Sequence, residues 1–86
     1  MSEIQLLKAQ LHQVSNDART AAGGLAGFKT KFTQSSAHVQ ALIAGTATGT
    51  DRDISALLDA AGKALDHAVQ ALEVASSGCR TYADQI

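Results

Sequence analysis

Gly45-Thr46-Ala47-Thr48-Gly49-Thr50-Asp51-Arg52-Asp53 is the only long interruption in a chain that otherwise repeats its apolar residues with a single period. Gly45 stands where a left-handed C-cap residue would end a helix. Thr50 or Asp51 can open the next one, with Asp51 and Asp53 at the positive end of its dipole. The segment therefore reads as a turn between two helices, at about residues 2–44 and 51–85. Two helices joined so briefly lie antiparallel, so the fold class is all-α and the unit is a helical hairpin.

Upstream of the turn, Ser2 and Gln5 form a Ser-x-x-Gln capping box. The apolar series then runs Ile4, Leu7, Leu11, Val14, Ala18, Ala21, Leu25, Phe28, Phe32, Ser35, Val39, Leu42, in alternating steps of three and four. Only Ser35 is polar. This is a heptad repeat with its a and d positions filled. The flanking e and g positions are mostly polar, including Lys8, Ser15, Asp17, Lys29, Lys31, Ser36 and His38, so the apolar stripe of helix 1 is expected to be narrow. Gly23-Gly24 and Gly27 each cost about 1 kcal/mol relative to alanine inside a helix. The heptad phase nevertheless crosses them without a slip, which predicts one continuous helix, with the glycines permitting a bend or the close approach of another helix.

Downstream, Ile54, Leu58, Ala61, Leu65, Ala68, Leu72, Ala75, Cys79, Tyr82 and Ile86 continue the same alternation. Helix 2 has a wider apolar face, because Leu57, Ala64 and Ala71 fill its g positions and Val69 and Val74 extend the other side. Residues 1–44 carry a balance of +2 and residues 51–86 one of −3, which favours antiparallel pairing weakly.

Eighty-six residues, 45% of them apolar but few of them aromatic, make one domain over 1–86 and suit alanine-rich helices better than a pocketed enzyme. The net charge of −1 provides no basic footprint for nucleic acid. No apolar run approaches a membrane span. Met1-Ser2-Glu3-Ile4 lacks the order of a cleaved signal peptide, so the chain is expected in the cytosol or to leave the cell without one.

No constellation of side chains reads as chemistry. Cys79, the single cysteine, falls on the seam of helix 2 and reads as a small buried thiol, with interchain pairing or reactivity as the rarer alternatives. His12, His38 and His67 lack metal-ligand spacing, and Gly62-Lys63 lacks the rest of a phosphate loop. Lys29 and Lys31 beside Phe28 and Phe32 read as the solvated flank of a coiled coil. The expectation is a protein that is not an enzyme and takes no cofactor or metal.

A two-helix hairpin is a single layer, whereas a stable domain packs two. A second hairpin, identical or different, would complete a four-helix bundle. The expected partner surface is the wide face of helix 2, namely Leu57, Ala61, Ala64, Leu65, Ala68, Val69, Ala71, Leu72 and Ala75, with Phe28 and Phe32 from helix 1.

In size, paired alanine-rich heptads, glycine-containing turn and lack of a signal peptide, nearly the whole chain resembles the WXG-type helical-hairpin proteins of bacterial type VII secretion. The resemblance implies a four-helix bundle built from two hairpins, exported by a dedicated machine. It also implies a role as a secreted factor or as the targeting or chaperone partner of a larger effector, such as a toxin with an N-terminal helical domain. The family's Trp-x-Gly turn motif corresponds here to Ala47, Thr48 and Gly49, which keeps the glycine and not the tryptophan. The family's Tyr-xxx-acid export signal is also missing, since Tyr82 is followed by Asp84 at two and by Ile86 at four.

Overall fold

The structure, a computed structural model, describes residues 2–44 and 49–86, with the side chains of the second segment described from Arg52 onward. It consists of α1 (Glu3–Ile43) and α2 (Gly49–Gln85), packed against each other along their length. The capping box forms as expected: Ser2 Oγ accepts from the Gln5 amide at 3.2 Å, and the Ser2 amide donates to Gln5 Oε1 at 3.4 Å. Helix α1 ends through Ala44, whose right-handed backbone (φ −61°, ψ −21°) donates its N–H to the Gln40 carbonyl. Gly45, the expected C-cap, and Ala47 and Thr48 of the turn motif lie outside the described residues. Helix α2 begins at Gly49, the third residue of that motif, so Thr50 and Asp51 fall in its first turn and not at its cap.

Helix α1 runs unbroken through Gly23-Gly24 and Gly27, none of which has a positive φ. A Cβ at Gly23 or Gly27 would meet nothing within 4 Å. Gly23→Ala and Gly27→Ala are each expected to stabilise the helix by about 1 kcal/mol. Each would raise the melting temperature by roughly 4–8 °C in a domain of this size. An unchanged or lowered melting temperature by circular dichroism would count against an open, regular helix at these positions.

The seam between the helices differs from the a/d expectation. Its buried and half-buried residues are Lys8, Leu11, Ser15, Ala18, Ala22, Leu25, Lys29, Phe32, Ser36 and Ile43 on α1, with His12 and Gln40 half-buried beside them. On α2 they are Ser55, Leu58, Gly62, Leu65, Val69, Leu72, Ser76, Cys79 and Ala83, with Ile54, Ala61, Asp66 and Ala68 half-buried beside them. The a positions Leu11 to Phe32 and Leu58 to Cys79 are those expected, while Ile4, Val39 and Ile86 are exposed, and the companions of the a residues are the e residues. Both helices are rotated the same way, by about 50° at 100° per residue.

Close approach explains the rotation. Small residues fill the e positions at Ser15, Ala22 and Ser36 on one helix and at Ser55, Gly62, Ser76 and Ala83 on the other, with Lys8, Lys29, Ile43 and Val69 between or beyond them. Ser15, only 1% exposed, donates from Oγ to the Ser76 carbonyl at 2.7 Å, and Ser76 donates from Oγ to the Ser15 carbonyl at 2.8 Å. The two hydroxyls lie 3.2 Å apart. Each serine thus satisfies its own buried hydroxyl on the backbone of the facing helix, which only small side chains at the crossing allow. The buried set holds the heptad from Lys8 to Ser36, whereas a straight helix would drift about 20° per heptad, so the helices coil around each other over that span.

Candidate interaction face

The d positions of α1, expected in the seam, are exposed by this rotation, as are Ala75 and Tyr82 on α2, whereas Ile54, Ala61 and Ala68 stay half-buried at the seam's edge. The d positions lie about 80° from the centre of an a/e seam, nearly perpendicular to the line between the two helices. Because α2 runs opposite to α1, the sense of rotation reverses, and the d stripes of both helices emerge on the same side of the hairpin. The b positions emerge on the other side. Cross-helix polar contacts agree with the assignment: Lys29 Nζ forms an ion pair with Asp66, and His12 Nε2 lies 3.7 Å from Asp84 Oδ1, all four at b, e or f positions. These pairs are partly exposed and each contributes less than ~1 kcal/mol, but they mark the polar side.

The hairpin is therefore two-faced. Its other side carries the Lys29–Asp66 pair and a shallow groove where Lys29, Asp59, Lys63 and Asp66 stand beside Phe32 and Leu58. Its apolar side carries Leu7, Val14, Ala21, Phe28 and Leu42 from α1 and Ile54, Ala61, Ala68, Ala75 and Tyr82 from α2. Leu7, Val14, Phe28, Leu42 and Tyr82 are all exposed, Leu42 to 70%. Phe28 stacks on Phe32, ring centroids 6.4 Å apart, so one side of the exposed ring rests on a half-buried one. A large aromatic so supported on a surface is an anchor for a partner.

The residues expected at the partner surface divide accordingly. Phe32, Leu65, Val69 and Leu72 are half-buried at seam positions between α1 and α2. Phe28, Leu57, Ala64, Ala71 and Ala75 are exposed, and Ala61 and Ala68 are half-buried at the edge of the seam. The large exposed side chains of this face come mainly from α1, the helix whose stripe reads as narrow, and its small ones from α2. Leu7, Val14, Leu42 and Tyr82 fall on the seam in the heptad pattern and lie outside it in the folded hairpin. The signal that could have placed them outside is the recurrence of Ser, Gly and Ala at e on both helices.

Leu6 and Val74 are also exposed, the latter to 71%, but their c positions point directly away from the seam. Cys79 is a half-buried free thiol at its expected seam position. Lys29, expected on a solvated flank, is instead half-buried in the seam and ion-paired. Among the described residues no three His, Cys, Asp or Glu side chains gather to hold a metal ion, and no helix is long and apolar enough to cross a membrane.

Comparison with protein-family models, with curated proteins and with solved structures found no match in any of the three.

Proposed function

We propose that this chain is a non-enzymatic interaction protein, a helical hairpin whose apolar face receives a second hairpin to complete a four-helix bundle. The observation that carries this reading is the d stripe, exposed along α1 and at Ala75 and Tyr82 of α2 and apolar except at Ser35, with the Lys29–Asp66 ion pair on the opposite side. Surface area supports it. A folded monomer of 8.9 kDa exposes about 4,800 Å², whereas this one exposes 6137 Å² over extents of 66 × 17 × 14 Å. The excess exceeds the ~800 Å² that each partner contributes to a standard interface.

The setting we propose is type VII-like secretion, in which the chain serves as a secreted factor or as the targeting or chaperone partner of a larger effector. It rests on the sequence resemblance. The missing tryptophan at Ala47 and the missing Tyr-xxx-acid signal favour a second reading, a cytoplasmic structural or regulatory homodimer unrelated to secretion. Genes for a secretion ATPase or a large toxin beside this one would support the first, and their absence the second.

Light scattering combined with denaturant unfolding tests the docking reading itself. The expected result is a multimer, or a chain that unfolds without cooperativity when alone. A monomer with a cooperative transition independent of concentration would overturn it.

A further inference from the structure

The His12–Asp84 and Lys29–Asp66 contacts are rungs of a ladder between the two helices. In an antiparallel pair that keeps the heptad, seven residues along α1 and seven back along α2 reach the equivalent rung. One such step from His12 and Asp84 sets Arg19 opposite Ser77. Two steps the other way from Lys29 and Asp66 set Arg80 opposite Ser15. Both arginines therefore stand where a charge has its counterpart on the filled rungs, and both face a serine instead. Neither has an ion pair or a hydrogen bond among the described residues.

The two arginines also share one space. A groove of about 210 Å³ between the helices is lined by Arg19, Glu73, Ser76, Ser77 and Arg80. Along α2, Arg80 lies three residues beyond Ser77, about 4.5 Å, and Glu73 four residues before it, about 6 Å. The place over Ser77 is thus bracketed by Arg19 from the facing helix and Arg80 from its own. Ser77 is exposed and its hydroxyl is unspent among the described residues, whereas Ser76 has given its own to the Ser15 carbonyl.

We propose that this groove is an oxyanion site, which takes a phosphate group over Ser77 between Arg19 and Arg80. Its volume falls below the roughly 300–1,000 Å³ of sites that hold drug-sized molecules, so it suits one small group. Two guanidinium forks and a hydroxyl present more donors than the about four lone-pair positions of a carboxylate. A phosphate has a third charged oxygen to receive them and is matched by paired forks. The groove lies at b, e and f positions, away from the apolar face, so a hairpin docked on that face leaves it open.

Titration followed by the arginine Nε–H signals in NMR tests the site. Inorganic phosphate and O-phosphoserine are compared with acetate and sodium chloride at equal ionic strength. The expected result is saturable shifts of Arg19 and Arg80 with the two phosphates alone. A stronger response to phosphoserine would identify an esterified phosphate as the ligand, and an equal one the free ion. Arg19→Gln and Arg80→Gln are each expected to weaken binding about tenfold or more, since each removes charge-assisted hydrogen bonds. Lys31→Gln, the same change of charge at an exposed g position, is expected to leave binding unchanged. Glu73→Gln is expected to strengthen it, because the carboxylate repels the ligand. Ser77→Asp transfers the acid of the His12–Asp84 rung to this one, and is expected to abolish phosphate binding by engaging both arginines. All these side chains are exposed, so the exchanges leave the seam intact. No saturable response to phosphate, an equal response to every salt, a loss as large in Lys31→Gln, or undiminished binding in Ser77→Asp would overturn the site.

Discussion

Phe28→Asp is expected to weaken association of the hairpin at least a hundredfold while leaving its helices intact. Phe28 is 55% exposed in the single hairpin and rests on Phe32 by one side, so its own chain loses little when it is replaced. That loss is the ring contact, about 0.5–1.5 kcal/mol. In a bundle the same position is central and desolvated, and a carboxylate there is buried without a partner. Truncating an anchor of this kind costs 2–4 kcal/mol or more, and an unpaired charge adds to it. Val74→Asp and Leu6→Asp, at comparably exposed apolar positions on the outer sides, are the matched controls and are expected to leave association unchanged. Light scattering across a concentration series reads all three. Equal loss in all three variants, or in none, would remove the d stripe as the docking face.

Ser15→Leu is expected to cost the hairpin about 3 kcal/mol or to unfold it. Ser15 is almost wholly buried at the point where the two backbones approach. Leucine there removes one buried hydrogen bond, and its extra volume must push the helices apart. These effects cost about 1 kcal/mol and 1–3 kcal/mol respectively. Ser15→Ala and Ser76→Ala are expected to cost about 1 kcal/mol each. Their double variant should cost less than the sum, because the hydroxyls also touch each other at 3.2 Å. Denaturant midpoints measure the cycle. On an a/d seam Ser15 would sit on a flank, and Ser15→Leu would only widen the apolar stripe. An unchanged or raised midpoint for Ser15→Leu would therefore mean that the helices meet through their d residues after all.

The difference between the two seams shows how far pattern reading reaches. The heptad alternation through Leu11, Ala18, Leu25 and Phe32, and through Leu58, Leu65, Leu72 and Cys79, identifies the a positions correctly on both helices. Periodicity cannot choose between d and e as their companion, because both lie next to a and both keep steps of three and four. Apolar content favours d, where α1 has Leu7, Val14, Ala21, Phe28 and Leu42, over e, where it has Lys8, Ser15, Lys29 and Ser36. The folded hairpin instead uses the stripe that lets the backbones approach, and sets the bulkier stripe outside. A hairpin completed by a second layer has two apolar demands on each helix. The larger side chains suit the wider gap between layers.

What the amino-acid sequence determined by itself is local and periodic: two long helices divided after about residue 44, the capping box at Ser2, and the passage of one helix through three glycines. Each follows from hydrogen bonding and side-chain spacing within a few turns of the chain. Which side of each helix is spent inside the hairpin was decided only by the tertiary structure. That choice depends on the distance between two backbones and on the Ser15–Ser76 contact across 61 positions of sequence. No repeat along one helix encodes that distance, and from it come both the charged side and the apolar face that carries the proposed function.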